Sequence, residues 1–280
     1  MFKSFFDKLR KILFFEKIDR GIQAHLQIAI ENYLNQNLYK NPKYQSTRYL
    51  NQFEFQIFSQ SGEDGIIEEI FKRIGTTNRY VVEFGVEDGG ETNSTYLLHQ
   101  EWKGLWIDSS KKNKIAIEKS FCTLIHEGRL AMIQSFITAG NIESLFKQAS
   151  VPAEFDLLSI DIDRNDYYVW KAITSYKPRV VIIEYNSIFR PGTDFIVKYD
   201  PTAMWDQTSY FGASLESYCK LADEKGYKLV GCNFIGSNAF FVRQDLAEKY
   251  FEGPFTAANF YEPSRYFLLT KNGHPRRVVL

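Results

Sequence analysis

Apolar residues near the start of the chain recur at helical intervals: Phe2, Phe5, Phe6, Leu9, Ile12 and Leu13. The spacing predicts an amphipathic helix running to about Leu38. The stretch "NQNLYKNPKYQSTRYLNQ" then loses the period and reads as an irregular connection. Regular patterning starts after Ser61. Residues 62–74 place Ile66, Ile70 and Ile74 on one helical face, with Ser61 and Asp64 spaced as an N-cap and its reciprocal partner.

Beyond that helix, short apolar runs alternate with segments of helical period. "YVVEF", "GLWID", "AMIQSF", "FDLLSIDID" and "RVVIIEYN" read as strands. Between them "NSTYLLHQ", residues 111–120, "NIESLFKQA" and "DYYVWKAI" read as helices. One more helix covers 213–224 and is stopped by Gly226, after which "YKLVGCN" and "AFFVRQD" flank the turn-like "FIGS" as an antiparallel hairpin. This order predicts an α/β fold: a doubly wound, mostly parallel seven-stranded sheet with an antiparallel edge strand. The expected divisions are a helical extension over 1–57, a principal domain over 58–250 and a tail over 251–280.

Composition acts mainly by exclusion. Lys plus Arg and Asp plus Glu both number 34, so no global field gathers nucleic acid. Cys122, Cys219 and Cys232 are scattered and odd in number, which fits a reducing, cytoplasmic compartment. The apolar run from Ile12 to Phe15 is too short for a signal-peptide core or a membrane span. Residues 1–20 nevertheless hold six Lys/Arg against three acids. That basic helical face suits a peripheral membrane or homo-oligomer contact, or packing on its own domain.

The candidate chemistry lies in the loops after the strands. "VVEFGVEDGG", residues 81–90, passes from the first strand into a glycine loop that holds Glu83, Glu87 and Asp88, with Glu91 next. In an open parallel sheet this loop is where glycine lets backbone approach a ligand. The dinucleotide fingerprint is not met, because Glu87 stands at its second glycine, and the acids oppose a pyrophosphate. A cofactor with a sulfonium and an ammonium but no phosphate gains from the same acids.

On these residues the sequence resembles the class I S-adenosylmethionine-dependent methyltransferases, whose first motif falls on Glu83, Gly85 and Gly89. "FSQSGEDG", residues 58–65, adds a likeness to FkbM-like and sugar-modifying methyltransferases. The resemblance spans about residues 60–245. It implies S-adenosylmethionine as cofactor, with Glu83 and the loop backbone at the methionine part, Asp108 at the ribose hydroxyls and "QSF" (134–136) at the adenine. It extends the cofactor contacts to Gln60, Gly85, Val86, Glu87, Gly89, Thr92, Asn93, Ser109, Ser135 and Phe136. Read from the residues alone, Asp108 equally serves as a cap for the next helix, and helix capping equally explains residues 58–65.

"SIDID" and "IEYN" bring Asp161, Asp163, Glu184 and Asn186 to the same carboxyl edge of the sheet. Oxygen donors without His or Cys suit Mg²⁺, Mn²⁺ or Ca²⁺ rather than zinc. Metal-dependent O-methyltransferases of the catechol and macrolide-sugar kinds look similar here. The expected metal ligands are Asp161, Glu184 and Asn186, and the expected catalytic residues Asp161 and Asp163, either of which is also placed to act directly as a general base. Capping of the next helix is the alternative use of Asp163 and Asp166. The long aperiodic segment 187–212 offers Arg190, Tyr199 and Trp205 to a hydroxylated small-molecule acceptor, Arg190 being suited to a phosphate or carboxylate.

The function expected from this reading is methyl transfer to a hydroxyl of a small polar acceptor, such as a sugar or glycan precursor, with Mg²⁺ or Mn²⁺ assisting. One alternative makes Asp161 and Asp163 the D-x-D motif of a metal-dependent nucleotide-sugar glycosyltransferase. Another is a non-catalytic partner protein that keeps the fold.

Overall fold

The computed structural model describes residues 2–269, with side chains from residue 17 onward. The chain divides into two compact units at 46/47. The first holds α1 (Phe2–Leu34), a π-helical turn (Asn35–Tyr39) and a 3₁₀ turn (Pro42–Gln45). Asn41 starts the last of these by accepting from the Lys43 N–H, with Pro42 supplying a preset φ. Along α1, Ile18, Ile22 and Leu26 stand exposed at four-residue spacing. The basic side chains of Lys3, Lys8, Arg10 and Lys11 lie outside the described residues, as does the tail beyond 269. Among the described residues no helix is long and apolar enough to cross a membrane.

The second unit opens with a 3₁₀ turn (Leu50–Phe53) followed by α2 (Glu63–Ile74), whose Ile66, Ile67, Ile70, Phe71 and Ile74 are buried. Its start differs from the capping arrangement that the spacing suggests. Gly62 is the N-cap and makes no side-chain cap bond. Ser61 bonds instead to Glu63, while Asp64 Oδ2 turns back to accept from the N–H groups of Ile57, Phe58 and Ser59 at 2.6, 2.8 and 2.9 Å. The two acids thus organise the loop ahead of the helix. Three adjacent backbone donors are a better match for a carboxylate than one distant hydroxyl.

From there strands and helices alternate: β1 (Tyr80–Phe84), α3 (Thr95–His99), β2 (Lys103–Asp108), α4 (Lys111–Ser120), α5 (Cys122–His126), β3 (Leu130–Gln134), α6 (Ile142–Gln148), β4 (Glu154–Ile160), α7 (Asp166–Ala172) and β5 (Lys177–Glu184). Then come α8 (Leu215–Lys225), β6 (Tyr227–Cys232), β7 (Asn238–Arg243), α9 (Gln244–Tyr250) and α10 (Ala257–Phe260). Sheet order is β3-β2-β1-β4-β5-β7-β6. The first five strands are parallel, and β7 runs antiparallel to both β5 and β6. The antiparallel hairpin therefore closes one end of the sheet with its second strand turned inward, so that Asn238 lies opposite Glu184.

Alternate strand residues feed cores on the two sheet faces: Val82, Phe84, Leu158 and Ile183 on one, Val81, Leu157 and Ile182 on the other. The order reverses between β1 and β4. Chains leave these two strands in opposite directions there, which opens a crevice beyond their carboxyl ends. At the opposite edge Asp156, fully buried on β4, accepts from Thr77 N–H, Arg79 N–H and Arg179 Nη1, the last at 2.7 Å. Arg179 also donates to the carbonyls of Ile74 and Gly75, which locks the end of α2 to the sheet.

Candidate active site

The crevice is a cavity of about 630 Å³ lined by the loops after β1, β2, β3, β4 and β5. The loop after β1 rests on two glycines. Gly85 has φ +68°, and a Cβ there would lie 1.8 Å from the carbonyl oxygen of Asp161. Gly89 has φ +81°, and a Cβ there would meet Phe121 at 2.6 Å and Trp106 at 2.7 Å. Both glycines are needed for protein packing. The sequence suggested ligand approach alone, and of the two only Gly85 lines the cavity.

Glu83, at 4% exposure, accepts from Asn93 N–H (2.8 Å), Ser159 Oγ (3.3 Å) and Ser94 Oγ. Ser94 Oγ in turn accepts from Trp106 Nε1 at 2.7 Å. These bonds join β1 to β4 and to the start of α3. Burial still dominates and pushes the Glu83 carboxyl up to about 7. Asp108 has two tasks at the end of β2. Its Oδ2 accepts from Glu87 N–H (3.0 Å), and its Oδ1 from Ser110 N–H (2.8 Å) and Asn113 Nδ2 (3.1 Å). The carboxylate therefore holds the glycine loop and the entry to α4 while it lines the cavity.

β4 stops at Ile160, so Asp161 and Asp163 do not share a strand face as the pattern suggests. The chain turns instead: Asp163 takes φ +64°, and Asp166 Oδ1 accepts from Ile162 N–H at 2.8 Å. The turn brings carboxylate oxygens of Asp161, Asp163 and Glu184 within 4.8 Å of one another. Of the six described non-glycine residues in the left-handed region, two, Asp163 and Glu87 (φ +48°), line the cavity. Such backbone costs about 1–3 kcal/mol each and clusters at functional sites.

Asp161 and Asp163 open to solvent through the cavity but are walled by protein elsewhere. Loss of water around it, then repulsion from Asp166 and Asp163, holds the Asp161 carboxyl well above the usual range. Desolvation followed by repulsion from Asp161 does the same for Glu184, against a hydrogen bond from Tyr266. Asp166 is pushed up to about 6, chiefly by burial.

Most of the expected site residues reach this cavity: Gln60, Glu83, Gly85, Glu87, Thr92, Asn93, Asp108, Ser109, Ser135, Phe136, Asp161, Asp163, Glu184 and Trp205 line it. Val86 does not; it is buried in a cluster with Trp106 and Phe121. Asn186 is not among the carboxylates. Its Nδ2 donates to the carbonyls of Ser209 and Phe211 and its Oδ1 accepts from Ile188 N–H, so the side chain is consumed in anchoring segment 187–212. Asp163 takes the place in the cluster that Asn186 was expected to hold. Arg190 and Tyr199 also lie off the cavity, the Tyr199 ring packing on Tyr168 at 4.8 Å.

Glu91, Asn238 and Tyr266 line the cavity without having been singled out. Glu91 was legible as one more acid of the glycine loop. Asn238 follows from pairing with Glu184 once β7 is known to lie beside β5. Nothing in the sequence marks Tyr266. In all, seven carboxylates and no Lys, Arg or His are found among the described residues of the cavity wall: Glu83, Glu87, Glu91, Asp108, Asp161, Asp163 and Glu184.

No protein-family model matches this chain, and no curated protein sequence does. Solved structures do. An S-adenosylmethionine-dependent methyltransferase from Clostridium acetobutylicum is 12% identical with TM-score 0.40, over 65% of this chain and 90% of that one. The N-terminal domain of EvdMO1 with S-adenosylhomocysteine bound is 11% identical with TM-score 0.40, over 71% and 92%. A StiE O-methyltransferase segment is 16% identical with TM-score 0.37, over 59% of this chain and 51% of that one. The solved structures to which this chain is similar include an S-adenosylmethionine-dependent methyltransferase and O-methyltransferases.

Proposed function

We propose that the chain is an S-adenosylmethionine-dependent O-methyltransferase acting on a small hydroxylated acceptor, a sugar or glycan precursor. The observation that carries this reading is a cavity wall with seven carboxylates and, among the described residues, no cationic side chain, at the crevice where the sheet order reverses. A sulfonium and an ammonium gain from such a field, and a phosphate loses. The same point disfavours the glycosyltransferase alternative, whose nucleotide diphosphate would meet Glu83, Glu87, Glu91 and Asp108 with no arginine or lysine among the described wall residues to hold it.

In this reading Asp108 accepts from the ribose hydroxyls through the lone pairs left by Glu87, Ser110 and Asn113, and Ser135 and Phe136 bound the adenine. Glu83 shapes the loop around the methionine end by holding Asn93 and Ser94. The donor supplies an activated methyl group on sulfur. Asp161, Asp163 and Glu184 line the same cavity beside the glycine loop, with carboxyls that retain protons more readily than ordinary ones. A carboxylate of raised pKa is a stronger base once ionised, so Asp161 is suited to take a proton from the acceptor's hydroxyl. The donor set of these three acids also fits Mg²⁺ or Mn²⁺, which would supply Lewis acidity toward the acceptor hydroxyl.

Calorimetry with S-adenosylhomocysteine, with and without Mg²⁺, tests the reading. Native protein is expected to bind, and Asp108→Ala to bind about 10–100-fold more weakly, the equivalent of one charged hydrogen bond lost. No measurable binding to the native chain would overturn it.

A further inference from the structure

The same cavity is also lined by side chains of a different kind. Met204 and Trp205 from segment 187–212 and Tyr266 from the C-terminal side line it at 70%, 45% and 43% exposure. Phe211, also on the wall, supports the Trp205 ring edge-on at 6.3 Å, and Trp205 Nε1 donates to Thr208 O at 2.7 Å. The indole nitrogen is thus engaged by the chain, while nearly half of the side chain stays open to solvent. Large apolar side chains left this exposed and adjoining polar groups mark a binding surface. Their continuity with Asp161, Asp163 and Glu184 makes the occupant a molecule that reaches the reacting centre.

Charge restricts that occupant further. Seven acids line the wall, and even where Glu83, Asp161 and Glu184 hold protons, Glu87, Glu91 and Asp108 remain on the donor-loop side with no cationic side chain among the described residues of the wall. Arg164, next in sequence to Asp163, is turned away from the cavity over the Tyr210 ring at 5.6 Å, and Arg190 lies off the wall. An acceptor bearing phosphate or carboxylate would meet no cationic side chain among the described residues of this space.

Resting on the methyltransferase reading, we infer that the acceptor is an uncharged hydroxylated molecule with an apolar or aromatic face, a glycoside rather than a sugar phosphate or nucleotide sugar. The apolar face lies on Trp205 and Met204, and its hydroxyls point to the acid cluster. The step that supplies this substrate must then already have removed the phosphate: a glycosyl transfer that releases the nucleotide, or a dephosphorylation.

The test uses the full chain loaded with S-adenosylhomocysteine, whose own binding is measured first. Phenyl β-glucoside, glucose 1-phosphate and UDP-glucose are then titrated separately, with fluorescence of Trp205 and ligand-observed NMR as readouts. The glucoside is expected to bind at least about 100-fold more tightly than either anion, and Trp205→Ala to weaken it about tenfold. Glu87→Gln with Glu91→Gln is expected to narrow the gap between glucoside and anions by about tenfold. A phosphorylated sugar that binds as well as the glucoside, or no preference among the three, overturns the inference. Failure of S-adenosylhomocysteine to bind instead overturns the methyltransferase reading beneath it.

Discussion

Gly85→Ala is the substitution whose effect follows most directly from geometry. The new Cβ would stand 1.8 Å from the Asp161 carbonyl oxygen, against an ordinary carbon–oxygen contact of about 3.3 Å, so about 1.5 Å must be recovered by moving backbone. Two contributions add. An alanine at φ +68° costs about 1–2 kcal/mol for the left-handed conformation, and relief of overlap in a packed region costs about 1–3 kcal/mol more. At about 2–4 °C per kcal/mol for a domain of this size, the melting temperature is expected to fall by about 5–20 °C. Gly226→Ala supplies the control. That residue ends α8 at φ +79° with nothing within 4 Å of the new Cβ, so only the conformational part remains, about 2–8 °C. Differential scanning calorimetry of the two variants separates the parts. Because the displaced atom belongs to Asp161, Gly85→Ala should also lose affinity for Mn²⁺. Equal melting temperatures for the two variants would refute the steric reasoning.

Three further outcomes are expected. Asp156→Ala leaves the 5%-exposed Arg179 without its counter-ion and should lose about 3–5 kcal/mol in urea unfolding, with most of it regained when Arg179→Met is added; a loss under about 1 kcal/mol would contradict the buried pairing. Glu54 is pushed by burial from 4.5 up to about 8, so between those values the native chain holds a proton that the unfolded chain has released, and stability should decline as pH rises. Glu54→Gln, which keeps the oxygen that accepts from Asn51 and Phe234, should flatten that decline in melts taken from pH 5 to 9, and an unchanged slope would assign it elsewhere. Glu184→Gln should weaken Mn²⁺ binding by calorimetry at least about tenfold, and unchanged affinity would remove Glu184 from the cation set.

The parallel sheet was legible because buried strands are written as short β-branched runs, "RVVIIEYN" foremost, and because helices of regular period separate them. α5, α9 and α10, of five, seven and four residues, were not, since segments this short show little period and, unlike α3, α6 and α7, none of them stands alone between two strands. In the site, loop acids next to strand ends were legible from position alone, which covers Glu83, Asp108 and Asp161. Asn186 was misjudged because an amide after a strand has the same sequence signature whether it faces a ligand or holds a loop. Its three backbone partners lie at most 25 positions onward, in a segment without period, and that fold-back has no pattern to read. Tyr266 depends on still longer connections.

Those connections have a kinetic meaning. Tyr185, one residue past β5, donates to the carbonyl of Glu262 across 77 positions, and Arg265 is fastened to the β6–β7 turn by Ile235 O at 2.7 Å. The wall that Tyr266 contributes therefore stands only where β5 and the β6–β7 turn are joined to residues 262–265, contacts whose sequence separation adds loop-closure cost. An incompletely folded chain would present an open, strongly anionic trough instead of a walled chamber. Chemical competence and complete folding would then be reached in the same event.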